Sequence, residues 1–289
     1  MKEIWSRFRK LISCWKGLTS LGRLKKIALS ISYNGASYHG WQYQREDVRT
    51  VQGALEDALS IIADSPIRVS CAGRTDAGVH ATNQIVDFST NSKRDMKAWV
   101  SGTNSRLPES ISVNAAAFVP SSFSSRHSAI ARRYLYVIYN SRIRSALLPE
   151  YLSREYRDLD HEKMHEAAQL LVGEKDFTSF RASKCQSNTP MRNVFSVRVW
   201  RERDLVLVDI TANAFLLHMV RNIVGVLLDV GANEKPISWP GSLLACKDRS
   251  KASKTAPPNG LFLVGVKYEV GVGVEIPALV WPHFLRVSS

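Results

Sequence analysis

One carboxylate stands out by its setting. In the run Cys71-Ala72-Gly73-Arg74-Thr75-Asp76-Ala77-Gly78-Val79-His80-Ala81, Asp76 lies between two glycines, with an arginine two residues before it. Gly73 and Gly78 free the backbone to turn sharply and let a large ligand approach. A carboxylate projecting from such a turn can attack an electrophile or steady a growing positive charge, and Arg74 favours its ionised form. The same composition also makes an ordinary turn, since Asp and Gly are common turn formers.

Two further groups carry chemistry if the fold brings them to that turn. Arg221 stands amid Met219, Val220, Ile223 and Val224, where a cation is costly unless paired. It either sits at a helix edge facing water or pairs with a carboxylate, and Asp76 needs such a cationic partner to stay charged in a cleft that excludes water. Tyr134 lies in an alternating stretch, so Tyr134 and Tyr136 share one face while Leu135 and Val137 share the other. Such alternation also serves plain sheet packing.

A competing motif is His161-Glu162-Lys163-Met164-His165. On a helix it puts two imidazoles on one face at i and i+4 with Glu162 as a base, the pattern of zinc peptidases. Its context speaks against that reading. Glu166-Ala167-Ala168 follows, with no glycine and third histidine at the required spacing, and His161 falls at a helix start after Asp158 and Asp160.

The elements that must position these groups read as two α+β units in succession. A strand over 27–33 leads to a helix over 51–62 with Thr50 as N-cap. Strands over 67–71 and 84–89, a short helix over 95–104 and a strand over 112–118 follow. The second half runs from a strand over 133–139 to a helix over 161–172, which Gly173 is expected to cap. Strands over 194–200 and 205–210, a long apolar helix over 215–230 and a strand over 261–268 complete it. Each half has the ferredoxin-like order β-α-β-β-α-β, and the Ser-rich link at 120–126 separates them. The expected organisation is an extension over 1–25, units over 26–122 and 123–270, and a Gly/Val/Pro-rich tail over 271–289. Two such units can join their sheets and leave a cleft between them, where ligands commonly bind.

Composition narrows the partners. The chain has 289 residues, 45% of them apolar, and a net charge of +13. That excess favours a polyanion, with nucleic acid ahead of membrane. Residues 1–26 hold eight Lys/Arg against Glu3, a net +7, so the remainder still carries +6. Ile4, Trp5, Phe8, Leu11, Ile12 and Trp15 recur there at helical spacing, consistent with an RNA-binding arm, a membrane-surface helix or a transit peptide, with a tail or loosely docked helix the favoured reading. Cys14, Cys71, Cys185 and Cys246 form no CxxC pair, which argues against a zinc ribbon and a disulfide framework and fits a reducing cytosol. No run of 18 apolar residues marks a spanning helix.

The Asp76 run resembles the catalytic loop of pseudouridine synthases, specifically the tRNA pseudouridine synthase A family. The resemblance covers roughly residues 26–267. It extends to Tyr33-Asn34-Gly35 with Tyr38-His39-Gly40-Trp41-Gln42, to Ala131-Arg132-Arg133-Tyr134-Leu135-Tyr136, to Asp176-Phe177-Thr178-Ser179-Phe180-Arg181, and to His218-Met219-Val220-Arg221-Asn222-Ile223-Val224-Gly225. It implies an isomerase that converts uridine to pseudouridine at positions 38 to 40 of the tRNA anticodon stem-loop. It also implies the joined two-unit fold, a homodimer holding tRNA across both subunits, and a cytoplasmic setting.

Under that resemblance Asp76 is the catalytic carboxylate. It attacks C1′, stabilises charge there, or adds to C6 of the base, and the sequence does not choose among these routes. Tyr134 matches the family's active-site tyrosine, stacking on the flipped uracil with a hydroxyl available for proton removal from C5, while Tyr136 is expected in the core. Arg221 matches the active-site arginine, and Arg74 is expected to hold the displaced backbone. Arg126, Arg132, Arg133, Arg142, Arg144, Arg181 and Lys184 are further candidates for phosphate contacts. His80 reads as a loop support, and His39 and Trp41 as either RNA contacts or locks of their own loop. The isomerisation gains and loses no atoms, so it calls for neither metal nor redox cofactor. A non-catalytic RNA-binding module on the same fold is the alternative, and Asp76, Tyr134 and Arg221 together favour the enzyme.

Overall fold

The first strand, β1 (Lys25–Tyr33), is buried along nearly its whole length, as its run of apolar and small residues requires of a strand covered on both faces. It lies second from one edge of a ten-stranded sheet in the computed structural model, which describes residues 24–269 and 279–285. The basic extension therefore lies outside the described residues except at its last two positions, as does most of the tail after 270. No helix among the described residues is long and apolar enough to cross a membrane.

Helix α1 (Val51–Ala63) begins where expected, with the Thr50 hydroxyl accepting from the Gly53 N–H. Then come β2 (Ser70–Cys71), β3 (His80–Thr90), a helical stretch with a wide π-type turn at Ala98–Gly102, and β4 (Ile111–Val119). In space these strands run β4-β1-β3, with β2 on the far side of β3. The second half contributes β5 (Ala129–Asn140), the short β6 (Ser153–Glu155), α2 (His161–Gln169) and β7 (Gly173–Asp176). It continues with β8 (Met191–Glu202), β9 (Leu205–Ala212), α3 (Met219–Gly231), α4 (Trp239–Cys246) and β10 (Leu261–Tyr268). Its strands run β10-β5-β9-β8. Both halves thus share the ferredoxin-like order in which the fourth strand neighbours the first and the third neighbours the second.

The halves meet where β10 lies parallel to β3, pairing Phe262 with His80 and Leu263 with Ala81. The same edge of β3 pairs with β2 six residues on, Ser70 with Asp87 and Cys71 with Val86. The segment between β2 and β3, which carries Asp76, emerges at the fork between these two neighbours. On one face of the sheet the helices share a core with Tyr134, Tyr136, Val208 and Ile210. On the other, Leu135, Val137, Leu207 and Phe262 pack against Trp281 and Leu285. The alternation expected along β5 is realised.

Three expected elements are shorter than the sequence suggests. The strand over 67–71 survives only at Ser70–Cys71. The Ile67 N–H donates to Ser60 Oγ and the Val69 N–H to Glu56 Oε1, both 2.9 Å, so side chains of α1 take the bonds a strand partner would. Helix α2 stops at Gln169, because the N–H groups of Leu170, Leu171 and Val172 turn back to carbonyls three residues earlier. Gly173 does not cap it but opens β7 with φ +102°. Helix α3 starts four residues late, at Met219, since Leu217 is tied to another loop by its N–H to Cys185 Sγ and its carbonyl to the Ala182 N–H.

Candidate active site

The Asp76 turn is held from every side by groups that belong to other elements. Gln84 on β3 receives the Gly73 N–H at Oε1 and donates from Nε2 to the Gly73 carbonyl. Tyr33 OH and Thr75 Oγ1 are 2.8 Å apart, and the Thr75 carbonyl accepts from the Trp41 N–H. The Val79 N–H closes the turn on the Asp76 carbonyl at 3.2 Å. Behind it, the loop at 34–42 presses in so closely that a Cβ on Gly35 would lie 1.9 Å from the Val79 carbonyl oxygen. Trp41 is fully buried, so it locks that loop, whereas His39 is exposed. His80 is a buried support as expected. Its Nδ1 accepts from the Gly35 N–H, its Nε2 lies 2.9 Å from the Glu150 carbonyl, and its ring stacks on Phe262.

Asp76 itself faces a cleft of about 640 Å³. Arg221, in the first turn of α3, donates from Nη1 to Asp76 Oδ2 at 3.2 Å and from Nε to the Ala256 carbonyl at 2.8 Å. The pairing inferred between these residues, 145 positions apart, is present. Arg74 is not part of it. That side chain is exposed at the cleft and makes no ion pair among the described residues. Asp76 has a second neighbour that sequence reasoning left without a role. His218 Nε2 lies 3.5 Å from Asp76 Oδ2, at a left-handed residue (φ 61°) just before α3. The positive end of that helix adds to an environment suited to an anion.

Tyr134 lines the same cleft, its ring edge-on to Phe215 with centroids 5.1 Å apart. Its hydroxyl lies over Gly73, where a Cβ would come within 3.4 Å of it. Burial first, and then the negative charge of Asp76, hold this phenol above its ordinary range, so it is neutral at working pH. Tyr136 donates to the Pro257 carbonyl from within the core.

The expected phosphate contacts divide. Arg126, Arg132 and Lys184 line the cleft, but Arg133, Arg142, Arg144 and Arg181 do not. Arg132 spends its donors on the carbonyls of Ala72, Arg126, Ala129 and Asn213, so it braces the Asp76 turn. Arg133 pairs bidentately with Asp209, and Arg181 binds the carbonyls of Cys185 and Ser187. Arg192, not singled out from the sequence, also lines the cleft. Of the HExxH pair, His165 serves the fold, since its Nδ1 accepts from the Val199 N–H of β8. Among the described residues no three His, Cys, Asp or Glu side chains are grouped to hold a metal ion.

A cleft with one carboxylate, a paired arginine, a tyrosine and a surplus of cations suits chemistry on a polyanion. The family model described as tRNA pseudouridine synthase matches residues 29–127 and 167–269, the larger part of the chain. The chain belongs to the tRNA pseudouridine synthase family. It is an isomerase that converts uridine in tRNA to pseudouridine. The tRNA pseudouridine synthase A of Shewanella sp. (strain MR-4) is 57% identical over 243 residues, covering 84% of this chain and 93% of that protein. The tRNA pseudouridine synthase A of Actinobacillus pleuropneumoniae serotype 3 (strain JL03) is 52% identical over 263 residues, 91% of this chain and all of that protein. Among solved structures, an H/ACA RNP bound to a substrate RNA containing 2′-deoxyuridine aligns with 70% of this chain and 44% of its own, at 9% identity and a TM-score of 0.35. At that distance the likeness adds nothing to the family assignment.

Proposed function

We propose that Asp76 is the catalytic carboxylate of this synthase and that it acts on uridines 38 to 40 of the tRNA anticodon stem-loop. A paired uridine has to leave its stack before a side chain can reach it. The reaction then breaks the bond from C1′ to N1, turns the base, forms the bond from C1′ to C5, and moves the C5 proton to N1. As the glycosidic bond breaks, positive charge grows at C1′, and an ionised carboxylate beside it lowers that barrier, as at glycosidic centres generally. The observation that carries this reading is that Asp76 is the one carboxylate lining the cleft among the described residues, and it is ion-paired to Arg221. In this reading Tyr134 receives the flipped uracil on its ring and Arg74 at the cleft holds the displaced backbone.

The two ferredoxin-like units, over 26–122 and 123–270, act as two walls of one RNA channel. A homodimer in the cytoplasm lets a single tRNA span both subunits. The test is pseudouridine mapping of an unmodified tRNA transcript with wild type and Asp76→Asn, beside binding of the same transcript. New pseudouridine at 38 to 40 from wild type alone, with binding retained by the variant, is the expected result. Product from Asp76→Asn at the wild-type rate would remove Asp76 from the chemistry.

A further inference from the structure

Arg192, the second residue of β8, is 8% exposed yet lines the cleft. Its Nη1 donates to the carbonyls of Thr189 (3.0 Å) and Met191 (2.5 Å), and its Nη2 to Ser187 Oγ (2.6 Å). Its Nε is buried and has no partner. None of these acceptors is charged, and no carboxylate lies within ion-pair reach of Arg192 among the described residues. Three other partly buried arginines have carboxylate partners, Arg133 with Asp209, Arg157 with Glu155 and Asp229, and Arg221 with Asp76, whereas Arg249 bonds only neutral acceptors. Arg132 lacks a carboxylate too, but carbonyls occupy all three of its nitrogens. A guanidinium carries five N–H groups. At Arg192 three are used, leaving one Nη2–H and the enclosed Nε–H without a protein acceptor.

A buried cation without a counter-ion is costly, and burial holds this one below its ordinary value. The surrounding cleft offers it no relief. Arg74, Arg126, Arg132, Lys184, Arg192 and Arg221 face one carboxylate, which Arg221 already engages. The segment that supplies Ser187 also carries Lys184, and Arg181 folds it into place by donating to the carbonyls of Cys185 and Ser187.

We propose that Arg192 and Lys184, with Ser187 orienting the guanidinium, form a subsite that takes one phosphodiester of the bound RNA. This rests on the reading that the cleft holds the tRNA substrate. The phosphate supplies the counter-ion that the fold omits, so the subsite is complete only with RNA present and fixes the register of the strand relative to Asp76.

The test compares wild type, Arg192→Met and Arg192→Lys for binding of an unmodified tRNA transcript across a series of salt concentrations. Melting temperature and circular dichroism report on folding in parallel. Arg192→Met is expected to bind about ten- to hundredfold more weakly, with the slope of log affinity against log salt reduced by about 0.7 to 0.9. Arg192→Lys is expected to keep the wild-type slope. An unchanged slope in folded Arg192→Met, whatever its affinity, would show a structural role and overturn the proposal. Should that variant not fold, inorganic phosphate titrated into wild type decides. A saturable shift of an arginine Nε–H resonance that tRNA competes away supports the subsite, and its absence overturns it. Failure of the catalytic reading is separable, since it appears as missing product while the salt slopes are unaffected.

Discussion

Replacing Gly35 by alanine should disable the enzyme, although Gly35 itself does not line the cleft. A Cβ at Gly35 would lie 1.9 Å from the Val79 carbonyl oxygen, 2.6 Å from its carbonyl carbon and 3.2 Å from its nitrogen. All three are backbone atoms, so no side chain can rotate away. Ordinary contact begins near 3.4 Å, and 3.4 minus 1.9 leaves about 1.5 Å by which the two backbones must part. Val79 anchors the Asp76 turn through its N–H to the Asp76 carbonyl, and the next residue, His80, holds the Gly35 N–H. The displacement is therefore passed to the carboxylate. A misplacement of about 1 Å costs on the order of a hundredfold in rate, and overpacking of this kind costs about 1–3 kcal/mol of stability. Single-turnover pseudouridine formation on a tRNA transcript should fall about a hundredfold or more, with melting lowered by several degrees and tRNA affinity near wild type. Gly241→Ala is the control, because its Cβ would meet Leu170 Cδ1 at an ordinary 3.6 Å. A folded Gly35→Ala protein with the wild-type single-turnover rate would refute the reasoning.

Tyr134→Phe should keep its fold and its tRNA affinity while turnover falls about a hundredfold or more, since the ring is packed but the hydroxyl bonds no described residue. An unchanged turnover would confine Tyr134 to stacking. Burial holds His80 below its ordinary value, so the unfolded chain takes up that proton first as pH falls. Stability is then full above about pH 6.5 and declines below it. His80→Asn should flatten the melting temperature between about pH 7.5 and 5.5, and an equally steep decline in the variant would contradict this. Burial pushes the Cys71 thiol up to about 12, whereas at Cys185 burial is outweighed by the Leu217 and Ser187 N–H groups and by Arg181, which lower it. Iodoacetamide near neutral pH should label Cys185 ahead of Cys71 and weaken tRNA binding, read by peptide mass spectrometry and a binding assay; equal labelling would argue against it.

Much of this was legible in the sequence because local signals agreed with the global fold. Thr50 fixes the start of α1 by its own hydroxyl, and the alternation of Tyr134 to Val137 sorts the two faces of β5 correctly. The failures occur where side chains, rather than strands or helices, satisfy the backbone. Nothing in Ile67 or Val69 announces that Ser60 and Glu56 will take their N–H groups. Within the site, nearness in sequence misled: Arg74, two residues away, does not pair with Asp76, and Arg221, 145 residues away, does. His218 was within reach of a sequence argument, standing one turn before Arg221, but its left-handed backbone gives no signal in a non-glycine residue. Arg192 had none at all, because its isolation from carboxylates is a property of the packed state.

The parallel pairing of β3 with β10 has a consequence for the order in which the protein is made. His80 and Phe262, partners in that pairing, are separated by 182 positions (262 minus 80). At about 5–20 residues per second, the ribosome delivers the second roughly 10 to 40 s after the first. During that interval the N-terminal ferredoxin-like unit can form, but one edge of β3 stays open and the Asp76 turn lacks the wall that Leu261 gives it. Arg221, which pairs with Asp76, also arrives late. A nascent chain thus lacks part of the cleft wall until β10 has been made, and a product truncated before that point carries an unpaired strand edge that invites aggregation.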